Sequence, residues 1–314
     1  MTYFQSTRLF PKSQGADKYE ITGIASKCDW VLLSDHNPPY TYLKKITNNH
    51  KPRYIYLSLR SPFVAISEFV ETVLPIVKSP FILISGSEDV TIPNQTDKRW
   101  REFSETEKSL ISQILQHQQL IHWYAENLDD CSIDKLSGLP LGMVYPNNQP
   151  QRLQELPNSK NMADRELKVL CGHRVRDGSQ WDIRRTVTSL AKNSWSSFTT
   201  NLPDEIPESD FLDLIQVHSF VLCAEGGGLD PSPKAWQCLL YGAIPIIKRN
   251  PANESYAVLP VVFIDEWESC AITIEKLYRW KSEYLKWFDE PSYRQELLRR
   301  LGIDYWWGKI VASS

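Results

Sequence analysis

At 314 residues, with 42% hydrophobic and 23% charged side chains and 13 glycines, the chain has the make-up of an ordinary globular protein and the length for two α/β domains with cores of their own. A formal net charge of −3 provides no global field toward nucleic acid or an anionic bilayer, and no window approaches the ~18 apolar residues that a membrane span requires. The six cysteines, at 28, 131, 171, 223, 238 and 270, form no CxxC pair and have no His at metal spacing, so a reducing cytoplasm and no structural metal are expected.

The N-terminal MTYFQSTRLFPKSQ carries no long apolar stretch, and no membrane anchor is expected there. Beyond it, Trp30 to Leu33, Tyr54 to Leu59, Phe81 to Ser85, Leu120 to Trp123 and Leu139 to Val144 read as strands with helical segments between them. The clearest helix runs from Glu105 to Gln116, opened by a capping box of Ser104 and Glu107. Alternation of this kind predicts a parallel sheet wrapped by helices. The stretch from Pro146 to Asp164 is polar and rich in Pro and Asn, as an interdomain linker is.

A second set of short strands follows at Lys168 to Gly172, Ser197 to Thr200, Phe220 to Cys223, Ile244 to Ile247 and Val261 to Ile264. Its centre is HSFVLCAEGGGLDPSPKAWQCLLYGAIPIIKRN, His218 to Asn250, the order of a phosphate-cradling βαβ unit. Gly226, Gly227 and Gly228 predict a tight turn close to a ligand, and Ser232 and Pro233 suit the N-cap and first position of a helix from about Lys234 to Tyr241. Gly242 suits a left-handed cap before the next strand. Such a helix start beside Lys234 suits a diphosphate, although glycine loops of this kind also serve ordinary strand-to-helix turns. From Ile274 to Ile310 the pattern is helical, with Leu277, Trp280, Leu285, Trp287 and Phe288 as an apolar stripe and Trp306 and Trp307 near the end; core packing is the better reading of these tryptophans than sugar stacking.

The glycine segment resembles the donor-binding signature of exostosin-like glycosyltransferases (glycosyltransferase family 47, GT-B fold). Gly226, Gly228, Asp230, Ser232, Pro233, Lys234, Trp236, Leu239, Gly242, Ile244 and Pro245 stand in register with it. Leu259 to Trp267, Phe81 to Asp89 and Ile121 to Met143 are similar to further family segments, spreading the resemblance over residues 80 to 267. It implies an α/β protein of the GT-B kind, two Rossmann-like parallel-sheet domains facing across a cleft. The expected division is an acceptor domain over 1–150, a nucleotide-sugar domain over 165–285 and a helical tail over 286–314 returning to the first domain. The chain departs from the family pattern where it has Glu225-Gly226 for Arg-Gly, Lys234 for Arg and Gln237 for a Glu that accepts from the ribose hydroxyls. Gln237 can still accept with its carbonyl oxygen, and Glu225 is a candidate to take over the ribose or contact the sugar.

The resemblance also implies a metal-independent, inverting transfer from a nucleotide-sugar donor, UDP-sugar first, to a hydroxyl of a glycan acceptor, with fixed cations at the diphosphate. Arg174, Arg176 and Arg184, after the strand ending near Cys171, are the candidates, Arg174 first, alongside Lys234, while Arg185 reads as a solvated helix-face charge. An acceptor hydroxyl needs a base, and Asp35, Glu88, Asp89 and Glu126 each follow a predicted strand. Asp89 is favoured, Glu88 stands next, and His36 reads as a loop residue. A sugar-nucleotide epimerase of the same fold and a non-catalytic glycan- or nucleotide-binding protein are the alternatives, and no nucleic-acid partner is expected.

Overall fold

The computed structural model describes residues 21–47, 50–143, 160–202 and 205–313. The chain divides into two compact units, one of residues 2–149 with 303–314 and one of residues 150–302.

The first unit is built on a six-stranded sheet. Its strands are β1 (Trp30–His36), β2 (Pro39–Lys45), β3 (Tyr54–Ser58), β4 (Phe81–Gly86), β5 (Leu120–Ala125) and β6 (Leu136–Gly138), in the order β2-β1-β3-β4-β5-β6. All neighbours are parallel except the β1–β2 hairpin, which runs in register from Trp30 opposite Lys45 to His36 opposite Pro39. The parallel strands are near-continuous apolar runs because both of their faces are covered. Leu32, Ile55, Leu57, Phe81, Leu83 and Trp123 pack with Ala65 and Ile66 of α1 (Pro62–Glu68) and Ile111 and Ile114 of α2 (Glu105–Gln116) into one core. The capping box of α2 is formed, with Ser104 and Glu107 bonding reciprocally.

Two features of this sheet differ from the sequence expectation. The hairpin partner β2 is an edge strand with half-exposed and exposed side chains, so it lacks the apolar run that marks its neighbours. The strand expected over Leu139 to Val144 lies instead at Leu136–Gly138. Leu139 N–H still donates to Ala125 O at 2.8 Å, but Pro140 has no N–H to continue the ladder, and the apolar residues after it are buried as loop. Val144 and most of the expected linker, residues 144–159, lie outside the described residues.

The second unit holds five parallel strands, β7 (Glu166–Cys171), β8 (Thr199–Asn201), β9 (His218–Leu222), β10 (Ile244–Lys248) and β11 (Val262–Ile264), in the order β11-β10-β9-β7-β8. Counted within this unit the order is 2-1-3-4-5, the arrangement of doubly wound nucleotide-binding sheets, whose direction reverses between the first and third strands. That switch point is the junction of β7 and β9. Val169, Phe220, Leu222, Ile244 and Ile246 face a core shared with Val187 and Ala191 of α3 (Asp182–Lys192). The alternate residues Leu170, Val221, Cys223 and Ile247 are buried as well, so the sheet is covered on both faces.

Helices α4 (Glu208–Val217), α5 (Lys234–Leu240), α6 (Ile274–Asp289) and α7 (Pro291–Arg300) complete this unit, and α8 (Ile303–Ala312) belongs to the first. The helical tail is therefore split at Gly302: residues 286–302 stay with the second sheet, and the part packed on the first unit begins at Ile303. Trp280, Leu285 and Phe288 of α6 pack on the second core together with buried Leu277, which holds this segment in place. Trp306 is buried in the first unit, and Trp307 lies against Tyr54 there.

Candidate functional site

In an open parallel sheet the carboxyl ends of the strands at the switch point form the ligand-binding rim. In the second unit this rim is made by Gly172 and His173 after β7 and by Cys223 to Gly226 after β9. Arg184, at the start of α3, reaches into it. The residue lies on the same helical stripe as Val187 and Ala191 and is 7% exposed, so its guanidinium is carried to the rim by the core face of the helix. Its Nε donates to Glu225 O at 3.0 Å. The plane lies against the Trp181 ring, 4.9 Å from Cζ to the ring centroid. A Cβ on Gly226 would stand 3.2 Å from Nη2. Gly226 is thus small to leave room for Arg184; the chain bends from Gly227 on, and none of Gly226, Gly227 and Gly228 adopts positive φ.

Lys234 opens α5 beside Arg184. Burial of its ammonium, and next the Arg184 charge, lowers its pKa to about 8. Burial lowers Arg184 to about 10, with the Glu225 carboxylate pulling the other way. Among the described residues no carboxylate lies within 4.0 Å of either cation. Glu225 is 2% exposed and turned away, its Oε2 accepting from Trp267 Nε1 at 2.9 Å, and burial raises its own pKa.

His173 completes the rim. Its Nε2 lies 3.1 Å from Arg184 O and 3.0 Å from Thr188 Oγ1; because a carbonyl only accepts, Nε2 carries the proton. Burial, then the Lys234 charge, lowers this imidazole to about 3, so it is neutral at ordinary pH. Its Nδ1 is a buried acceptor that meets no donor among the described residues. Placing His173 here needed the fold, although its position directly after a strand and a glycine was visible.

The other residues expected at the donor site have different surroundings. Arg174 and Arg176 are exposed and pair with Glu205 at 3.2 and 3.6 Å. Asp230 is buried, its Oδ1 accepting from Ser232 N at 2.7 Å and its Oδ2 from Tyr256 Oη at 3.5 Å, so it organises the loop. Ser232 has φ +69° and caps one residue earlier than the sequence suggested, with Lys234 N donating to its Oγ at 3.3 Å and Pro233 in the N-cap position. Gly242, at φ +84°, closes α5 in the left-handed conformation. The helix has only seven residues, so little macrodipole backs the rim and its positive charge comes from side chains. Gln237 donates through Nε2 to Glu208 Oε1 at 3.0 Å, leaving its carbonyl oxygen as the acceptor. Arg185 is exposed and holds the preceding loop, donating to Arg176 O at 2.8 Å and Gly178 O at 2.9 Å beside its ion pair with Asp182.

In the first unit the four expected acids also stand at strand ends. Asp35, the sixth residue of β1, is 3% exposed; Arg60 Nη2 lies 3.6 Å from its Oδ1, which also accepts from His36 N at 2.9 Å. Glu126 follows β5, is 1% exposed, and its Oε2 accepts from Ser87 N at 3.0 Å. Glu88 and Asp89, after β4, keep more surface. Arg99 gathers them: its Nη2 pairs with Asp89 and lies 3.3 Å from Asp97 and 3.9 Å from Glu88. The sequence reading had no part for Arg60 or Arg99, although Arg60 directly follows the strand run ending at Leu59. Among the described residues no three His, Cys, Asp or Glu side chains are grouped to hold a metal ion, and no helix is long and apolar enough to cross a membrane.

The fold is thus α/β, with two mostly parallel sheets of six and five strands, the second carrying a cationic rim at its switch point. No family model and no curated protein matches the chain. Among solved structures, an α-glucosyltransferase in complex with UDP-glucose and DNA containing an abasic site is similar at 8% identity and a TM-score of 0.33, over 83% of this chain and 81% of that one.

Proposed function

We propose that the chain is a GT-B-type, exostosin-like glycosyltransferase that moves a sugar from a nucleoside diphosphate, UDP first, to a hydroxyl of a glycan acceptor. The observation that carries this reading is the pair of buried Arg184 and half-buried Lys234 at the switch point, with no carboxylate within ion-pair distance among the described residues. Holding desolvated like charges together is costly, and an anionic ligand offsets the cost. A diphosphate has the charge and the oxygen acceptors to engage both side chains at once.

In the proposed reaction the acceptor oxygen bonds to the anomeric carbon as the bond from that carbon to the diphosphate oxygen breaks. The negative charge gathering on the leaving diphosphate is met by Arg184 and Lys234. The acceptor proton passes to a carboxylate, with inversion of the anomeric centre. The reading assigns that task to the first unit, Asp89 first and Glu88 second, because Asp35 and Glu126 are enclosed and bonded in place. Arg174 and Arg176 serve as outer cations, and the transfer is proposed to need no metal. The test is to incubate the protein with UDP-sugars and a panel of glycan acceptors and measure UDP release. Acceptor-dependent release that Asp89→Asn abolishes supports the reading, sugar conversion without acceptor points to an epimerase, and binding without turnover to a binding protein.

A further inference from the structure

Trp181 does no work in that reaction, yet its ring lies against the Arg184 guanidinium. It ends the short 3₁₀ turn Ser179–Trp181, between the β7 end and α3, and is half-buried within an exposed loop. One face of the indole lies on the Arg184 guanidinium. Among the described residues no second ring and no second cation stacks on it. Other tryptophans of this unit are otherwise engaged: Trp195 and Trp236 are fully buried, Trp267 is bonded to Glu225, Trp280 packs on the core and Trp287 stacks on Tyr293.

The turn that presents Trp181 is also fixed. Gly178 turns the chain at φ +110°, and Arg185 clamps the carbonyls of Arg176 and Gly178 onto α3. A half-exposed aromatic face is thus preorganised next to the guanidinium that would hold a phosphate. The guanidinium is held by its bond to Glu225 O, and Gly226 leaves it room.

We infer that the free face of Trp181 is the stacking platform for the base of the phosphorylated ligand, which makes it a specificity-determining residue for a nucleotide over other diphosphates. This rests on the reading of the rim as a diphosphate site. In a nucleoside diphosphate a single ribose separates phosphate from base, and here the phosphate-binding guanidinium and the ring are in direct contact. Stacking on an indole is open to every base, since each has a π-face, so Trp181 selects for the presence of a base and leaves its identity to other contacts.

The experiment is calorimetric titration of the full chain, as wild type, Trp181→Ala and Trp181→Phe, with pyrophosphate, UDP and UDP-glucose. Expected are binding of all three to the wild type, a loss of about tenfold for UDP and UDP-glucose in Trp181→Ala, recovery of most of it in Trp181→Phe, and pyrophosphate affinity unchanged throughout. An equal loss for pyrophosphate overturns the inference, because Trp181 then only positions Arg184. A loss confined to UDP-glucose also overturns it, since the ring then meets the sugar, and so does no loss at all. Failure of the wild type to bind pyrophosphate and UDP alike removes the diphosphate reading itself.

Discussion

At the carboxyl end of the first sheet the acids have cations or backbone donors beside them: Asp35 with Arg60, Asp89 and Asp97 with Arg99, Glu126 with the Ser87 amide. At the carboxyl end of the second sheet burial, and next the Arg184 charge, depress the proton affinity of the Lys234 ammonium, with Glu225 turned to Trp267. The first rim's acids are held by partners within their own unit. The second rim keeps an excess of positive charge, with Arg184 buried and Lys234 half-buried, which is how a protein stores binding energy for an anion. Mutations at the two rims are therefore expected to read out differently, the first in stability and the second in affinity.

The largest effect is expected from Asp35→Ala, which removes the carboxylate 3.6 Å from Arg60, a residue with no exposed surface, and should cost about 3 kcal/mol in urea unfolding. An unfolding midpoint equal to wild type would break the contrast from the first side. Arg184→Met should leave the midpoint close to wild type and weaken UDP by about 10- to 100-fold, the loss of charge-assisted hydrogen bonds to phosphate.

Lys234 makes the contrast sensitive to pH. Its charge is present below about 8, so UDP affinity should be full there and fall as pH rises above it, by up to about tenfold per unit. Lys234→Arg should flatten that fall. In the free protein the sign reverses: the unfolded lysine, near 10.5, holds its proton more tightly than the folded one. The stability contributed by this group therefore rises from pH 8 to 10.5, and the gap between wild type and Lys234→Met in urea should narrow across that window. Gly226→Ala sharpens the geometry, since its Cβ would crowd the Arg184 guanidinium and weaken UDP by less than Arg184→Met does. Smallest is Ser104→Ala, which removes half of the α2 capping box and should cost ~1 kcal/mol of stability with UDP affinity unchanged.

Much of the fold was legible because the parallel strands are covered on both faces and so appear as apolar runs, as at Phe81–Gly86 and His218–Leu222. The α2 cap and the Gly242 turn were legible because they depend on local chemistry. The edge strand β2 was not, since its half-exposed side chains carry no such run. At the second rim, sequence placed the arginines near the strand end and favoured Arg174, which is exposed and paired with Glu205, over Arg184. Arg184 on the core stripe of α3 was the available signal: three residues before Val187 and seven before Ala191, it falls on the buried face, whereas Arg174 and Arg176 fall in an exposed loop. The pairing of Asp35 with Arg60 depends on β1 lying beside β3, a strand order that no local pattern carries, whereas Arg99 meets Glu88 and Asp89 through the path of the single loop between β4 and α2.

The central claim is that the second rim is a nucleoside diphosphate site built on Arg184 and Lys234. Calorimetric titration of wild type and Arg184→Met with UDP at pH 7 and pH 9.5 tests it most directly. The account predicts wild-type binding that is tighter at pH 7 than at pH 9.5 and largely lost in the variant. Absence of wild-type binding, or binding indifferent to both pH and Arg184, would contradict it.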